Sequence, residues 1–106
     1  MEKQTIHNKL VRDKIPEIIQ STGRTCITEV LTTEDYIWAL DMKLNEELAE
    51  YQQEKSLEEL ADLLEVICAV VKARGYTWEE LIRIKKEKSS QRGAFEGRIL
   101  LKEVIE

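Results

Sequence analysis

From residue 34 to residue 74 apolar side chains recur at helical spacing, with one break at Glu54–Ser56. Ile37, Leu40, Leu44, Leu48 and Tyr51 fall on one face of a first helix, spanning roughly residues 34–54. Thr32 or Thr33 supplies its N-cap, and acids occupy its first turn, where the helix dipole favours them. Ser56 then opens the run SLEE with Glu59 three residues on, the pattern of a capping box. A second helix follows over residues 57–74 and stops at Gly75. So short a connection makes the two helices antiparallel neighbours. Whatever else the chain does, it is built on this hairpin.

The remaining punctuation is sparse: one proline and four glycines in 106 residues. Residues 1–14 read as irregular or extended. Pro16 suits the first turn of a short helix over roughly 16–22, with Gly23 as its stop. Residues 25–31, TCITEVL, alternate and are rich in β-formers, the signature of a short strand. Thr77 and Glu80 form a second capping-box pattern at the head of TWEELIRIKKEKSSQ, and Gly93 marks that helix's end. The tail GRILLKEVIE is a second candidate strand, and residues 25–31 are its natural partner. The expected fold is therefore mainly α: one domain over 1–106, an antiparallel helical bundle with a short two-stranded β element from residues 25–31 and the C-terminal tail.

The 57–74 helix is apolar over an unusually wide arc. Leu57, Leu60, Leu64, Ile67, Cys68 and Val71 make one face, and Leu63, Val66 and Val70 extend it to one side. A single partner helix cannot cover that arc. The helix is central in a bundle or buried between subunits, and the reading favours a homo-oligomer, a dimer or tetramer.

Acidic charge is concentrated on the same hairpin. Between Glu46 and Glu65 lie eight acids and one base, Lys55, a local net charge of −7 in a chain whose total is −5. Folding the chain at Glu54–Ser56 sets Glu50 opposite Glu59 and Glu47 opposite Asp62. On each helix the paired acids are three residues apart, about 4.5 Å of rise. Acidic helical runs are ordinarily solvated faces, and Glu59 has an ordinary use in the capping box. Yet like charges at i,i+4 destabilise a helix, and carboxylates sharing a site raise one another's pKa. A hard divalent cation, Mg²⁺ or Mn²⁺, removes both penalties and takes all-oxygen ligands.

Other function classes are disfavoured. No apolar run approaches the roughly 20 residues that cross a bilayer. The polar start MEKQTIHNK does not read as a signal peptide, and Cys26 and Cys68 lack metal-ligand spacing; Cys68 reads as a small core residue. The expectation is a cytoplasmic protein. The acidic balance argues against binding a nucleic-acid polymer.

Four blocks in order, NKLVRDKIPEII at 8–19, KLNEELAEY at 43–51, EELADLLEVI at 58–67 and RGAFEGRILL at 92–101, carry a resemblance that covers nearly the whole chain. The arrangement EExxE then ExxD resembles the MazG-like, all-α nucleoside triphosphate pyrophosphohydrolase superfamily, and the four blocks together resemble its small phosphoribosyl-ATP pyrophosphohydrolase-like branch. The resemblance implies Mg²⁺-dependent hydrolysis between the α and β phosphates of a nucleotide. It implies Glu47, Glu50, Glu59 and Asp62 as metal ligands and Glu46, Glu47 and Glu50 as the catalytic acids, with Glu46 binding metal or orienting the attacking water. The VRDKIP block and the tail strand mark a branch apart from true phosphoribosyl-ATP enzymes, so the particular substrate does not carry over, and a house-cleaning role is expected.

A triphosphate needs cations. Residues 83–98 offer Arg83, Lys85, Lys86, Lys88, Arg92 and Arg98, and the N-terminal block adds Lys9, Arg12 and Lys14. Lys88 and Arg92 are the first candidates for phosphate contact and Arg12 and Lys14 the next, although basic residues late in a helix also serve its dipole. Asp13 is read as a salt-bridge partner of Arg12. His7, near the terminus, is not read as catalytic, and Trp38 and Trp78 are read as packing residues. Two non-catalytic readings stand beside the enzyme: a helical oligomerisation or adaptor module on the same scaffold, and a metal-buffering or ligand-sensing protein.

Overall fold

The computed structural model describes residues 4–106. Four helices follow in order: α1 (Ile15–Gln20), α2 (Thr33–Gln53), α3 (Leu57–Ala73) and α4 (Trp78–Arg92). The chain is mainly α. Residues 4–14 carry no helix or strand, as expected, and positions 1–3 of that expectation lie outside the described residues.

The helix ends follow from their caps. Thr32 accepts a hydrogen bond from the Asp35 amide at the head of α2, and Ser56 accepts one from the Glu59 amide at the head of α3. At α4 the box is complete: Thr77 accepts from the Glu80 amide, and the Thr77 amide donates to Glu80 Oε1. Gly75 and Gly93, at φ 83° and 84°, carry the chain off α3 and α4 through backbone that side-chain-bearing residues rarely adopt. Pro16 sits in the first turn of α1.

α2 and α3 form the antiparallel hairpin. Arg74, capping the end of α3, reaches Asp41 in the first half of α2 at 2.9 Å, and the acids of the two helices meet at the other end. The contact stripe on α3 is not the face of Leu57, Leu60 and Leu64. Val66 is buried and Leu63 and Val70 are half-buried, whereas Leu57, Leu60 and Leu64 are exposed. The side that was expected only to widen the apolar face is the side that meets α2. Leu40 is the buried counterpart on α2, and Leu48 lies at the exposed margin. α4 packs on α3 near Cys68, Val71 and Trp78. Trp38 and Trp78 are 65% and 41% exposed, and Trp78, read as a packing residue, sits against α3 beside Cys68 and Val71.

The expected strand pair does not form: among the described residues there is no strand. Neither residues 25–31 nor the tail forms a strand, and Ile27, Val30, Ile99 and Ile105 are almost fully exposed. Alternation favours an extended conformation, but it does not bring two chain-distant segments together unless packing pins them. No helix is long and apolar enough to cross a membrane.

Candidate metal centre

The acids that face one another across the hairpin lie on its inner seam. On α2 they continue the stripe of Leu40, and on α3 the stripe of Val66, as helical spacing requires. Carboxylate oxygens of Glu46, Glu47 and Glu50 lie within 4.8 Å of one another, and so do those of Glu47, Glu59 and Asp62. The expected quartet, joined by Glu46, thus falls into two overlapping triads that share Glu47.

Glu47 is the buried member, with 7% of its surface exposed. Its Oε1 lies 3.5 Å from Lys43 Nζ, while its Oε2 is buried with no hydrogen-bond partner. Oε2 of Glu59 is orphaned in the same way. Glu59 does not close the capping box at Ser56: the Ser56 amide donates to the Glu54 carbonyl, and the Glu59 carboxylate turns into the seam. Its ordinary structural use is therefore unmade. Buried carboxylate oxygens normally have partners, and these two orphans belong to a triad of acids that could hold a cation.

Burial pushes the Glu47 carboxyl above its ordinary range, and the Glu50 carboxylate pushes it further, against the pull of Lys43. Glu59 is raised too, first by desolvation and then by Glu50, Asp62 and Glu54. Glu46 goes the other way. Desolvation would raise it, but its ion pairs with Lys9 at 3.2 Å and Lys43 at 3.3 Å outweigh that and hold it low. The acids thus fall into two kinds: Glu46 is kept ionised by bases, whereas Glu47 and Glu59 resist ionisation.

The seam has more basic company than its own stretch of sequence offers. Lys43, Lys9 and Arg12 all reach it. Arg12 Nη2 donates to Asp62 Oδ1 at 2.7 Å, so its partner is Asp62 and not Asp13. Arg12, expected to contact phosphate, stands at the rim of the acid cluster. Lys14, Lys88 and Arg92 are exposed and make no ion pair among the described residues. Lys43 was legible in the sequence, since it precedes Glu47 by four residues. Lys9 was not: an irregular segment has no periodicity from which to place it. His7 is exposed, and both cysteines are free thiols. A shallow concavity of about 320 Å³ between α3 and α4, lined by Cys68, Val71, Tyr76 and Trp78 among others, includes none of the clustered acids.

The donor set fits a hard divalent cation. It is all oxygen, it is preassembled by two helices, and part of it lacks any other partner.

No protein-family model matches the chain, and no solved structure matches it. Among curated proteins it is similar to an uncharacterized protein of Mycolicibacterium smegmatis, with 52% identity over 42 residues. That match covers 40% of this chain and 43% of the relative, so it spans less than half of either, and the relative's description names no activity.

Proposed function

We propose that the α2–α3 seam binds Mg²⁺, with Mn²⁺ as a substitute, and that the protein is a nucleotide pyrophosphohydrolase. The substrate class is a nucleoside triphosphate or related nucleotide, cleaved at the α–β phosphoanhydride to a monophosphate and pyrophosphate. The observation that carries the reading is the pair of orphaned buried oxygens, Glu47 Oε2 and Glu59 Oε2, aimed into a cluster of facing carboxylates. The resemblance of the four sequence blocks to the MazG-like superfamily supports it and supplies the reaction class. The finer fold assignment, a MazG-like antiparallel bundle, is part of the same proposal.

Glu47, Glu50, Glu59 and Asp62 are the residues that would hold the metal. When bound, the cation would polarise phosphoryl oxygens and help generate the nucleophile from water. The chain's own groups do the rest. Water adds at phosphorus, the bridging P–O bond breaks, pyrophosphate leaves, and the water's proton passes to a carboxylate of the cluster. Glu46, held low by Lys9 and Lys43, is a poor proton acceptor and suits the orienting of that water. Arg12 and Lys9, at the rim, can turn their donors to phosphate oxygens. Lys14, Lys88 and Arg92 remain the further cations proposed for the substrate. A house-cleaning role fits a site that the sequence ties to no single base or sugar.

The second reading, a non-catalytic oligomerisation or adaptor module, is favoured by one observation, the extent of uncovered apolar surface on α3. Pyrophosphate release from a panel of nucleoside triphosphates, with and without Mg²⁺, separates the two. Release that requires Mg²⁺ and is lost in Glu50→Gln and Asp62→Asn supports the enzyme. No release from any nucleotide by folded protein leaves the adaptor.

A further inference from the structure

Residues 8–14 bridge the two helices at the acid end of the hairpin. Lys9 Nζ reaches Glu46 Oε1 on α2 at 3.2 Å, and Arg12 Nη2 reaches Asp62 Oδ1 on α3 at 2.7 Å. The partners are 37 and 50 residues away in the chain. Each cation thus stands on a different helix and on a different triad of acids. Among the described residues, these are the only hydrogen bonds that join residues 4–31 to the hairpin, and α1 packs on neither α2 nor α3. Turns flank the two side chains. Asn8 adopts φ 45°, a left-handed conformation that asparagine tolerates better than most residues. The Arg12 carbonyl accepts from the Ile15 amide at 3.0 Å where the chain enters α1. Both ion pairs are partly open to water, so each is weak and yields to a stronger competitor.

We propose that residues 8–14 are a strap across the acid seam, held there by Lys9 and Arg12 as stand-in cations, and that a divalent cation releases it. The inference rests on the metal reading of the seam. Glu46, Glu47, Glu50, Glu59 and Asp62 need compensating positive charge. Lys43 supplies part of it from within α2, and the strap supplies the rest. An ion held by Glu47, Glu50, Glu59 and Asp62 competes for the carboxylate that Arg12 engages and repels both strap cations. Freed together, Lys9 and Arg12 become donors for phosphate oxygens, with Lys14 close by in sequence. Binding is then ordered. The cations of the VRDKIP block become available to a nucleotide only once the divalent ion is in place, and a nucleotide without metal finds them engaged.

Limited trypsin digestion of the full chain reads the strap, because cleavage after Arg12 requires its guanidinium to leave Asp62 and enter the protease. Lys102, exposed and without an ion pair among the described residues, is the internal reference. In EDTA, cleavage after Arg12 should be slow relative to cleavage after Lys102. Saturating Mg²⁺ should raise that ratio about fivefold or more, the factor that one or two weak ion pairs can supply. Glu46→Ala with Asp62→Ala should give the fast ratio already in EDTA, while the wild-type comparison needs no variant. Mn²⁺ uptake, measured on the same protein, separates the two claims. A ratio that Mg²⁺ leaves unchanged or lowers, in protein that takes up Mn²⁺, overturns the strap and leaves the metal reading standing. Folded protein that takes up no Mn²⁺ overturns the metal reading and the strap with it.

Discussion

Glu47→Gln should change sign with metal. The substitution keeps shape and removes one charge from the buried centre of the cluster. Glu47 has the carboxylates of Glu46, Glu50, Glu59 and Asp62 within the two triads and one close base, Lys43 at 3.5 Å. A like charge at about 5 Å costs about 1 kcal/mol even at the dielectric of water, and the Lys43 pair returns about as much. The balance is repulsive, and salt screening reduces it to about 1–2 kcal/mol. Metal-free Glu47→Gln should therefore melt higher than wild type, by about 4–8 °C for each kcal/mol. With Mg²⁺ the order should reverse, because wild type gains binding energy that the amide cannot supply. Thermal melts in EDTA and in Mg²⁺, at matched protein concentration, read both arms. A purely structural glutamate would lose its Lys43 pair and melt lower in both conditions, and that result refutes the reasoning.

Three further outcomes follow from individual contacts. Thr77→Ala breaks the capping box of α4 and should cost about 1 kcal/mol in chemical denaturation; an unchanged midpoint would mean α4 is fixed by other contacts. Glu47 and Glu59 have folded-state pKa values above their ordinary 4.5, so their contribution to stability is complete below 4.5 and lost as pH rises through the raised values. Glu46, held low, acts in the opposite sense but below 4.5, leaving the window above 4.5 to the raised pair. Metal-free protein should thus gain melting temperature as pH falls from neutral towards 5, and Glu47→Gln should flatten that slope. Arg12→Ala removes the guanidinium that occupies Asp62 Oδ1, so calorimetry should show tighter Mn²⁺ binding; weaker binding would mean that Arg12 positions Asp62 for the ion.

The helices were legible because their ends are chemically marked. Thr32, Ser56 and Thr77 cap three of them, and Gly75 and Gly93 release two. The facing acids were legible because a turn of so few residues fixes the register of the two helices. The inner face of α3 was not, because a helix apolar over most of its circumference gives periodicity no single answer. The acids themselves held the missing information: Glu59 and Asp62 share a stripe with Val66, so a cluster that must face α2 turns Val66 inward and Leu57, Leu60 and Leu64 outward. The N-terminal cations could not be placed, since Lys9 and Arg12 lie in irregular chain whose path depends on the charges it meets. The tail and residues 25–31 were read as a pair of strands and neither forms one among the described residues, because alternation specifies a conformation and not a neighbour.

The most direct measurement is Mn²⁺ binding followed by the loss of the free-ion electron paramagnetic resonance signal, in wild type, Glu50→Gln and Asp62→Asn. The account predicts that wild type takes up the ion and releases it when Mg²⁺ is added, and that each substitution weakens uptake about tenfold or more. Folded wild-type protein that leaves the free Mn²⁺ signal untouched, or variants that bind as well as wild type, would contradict it.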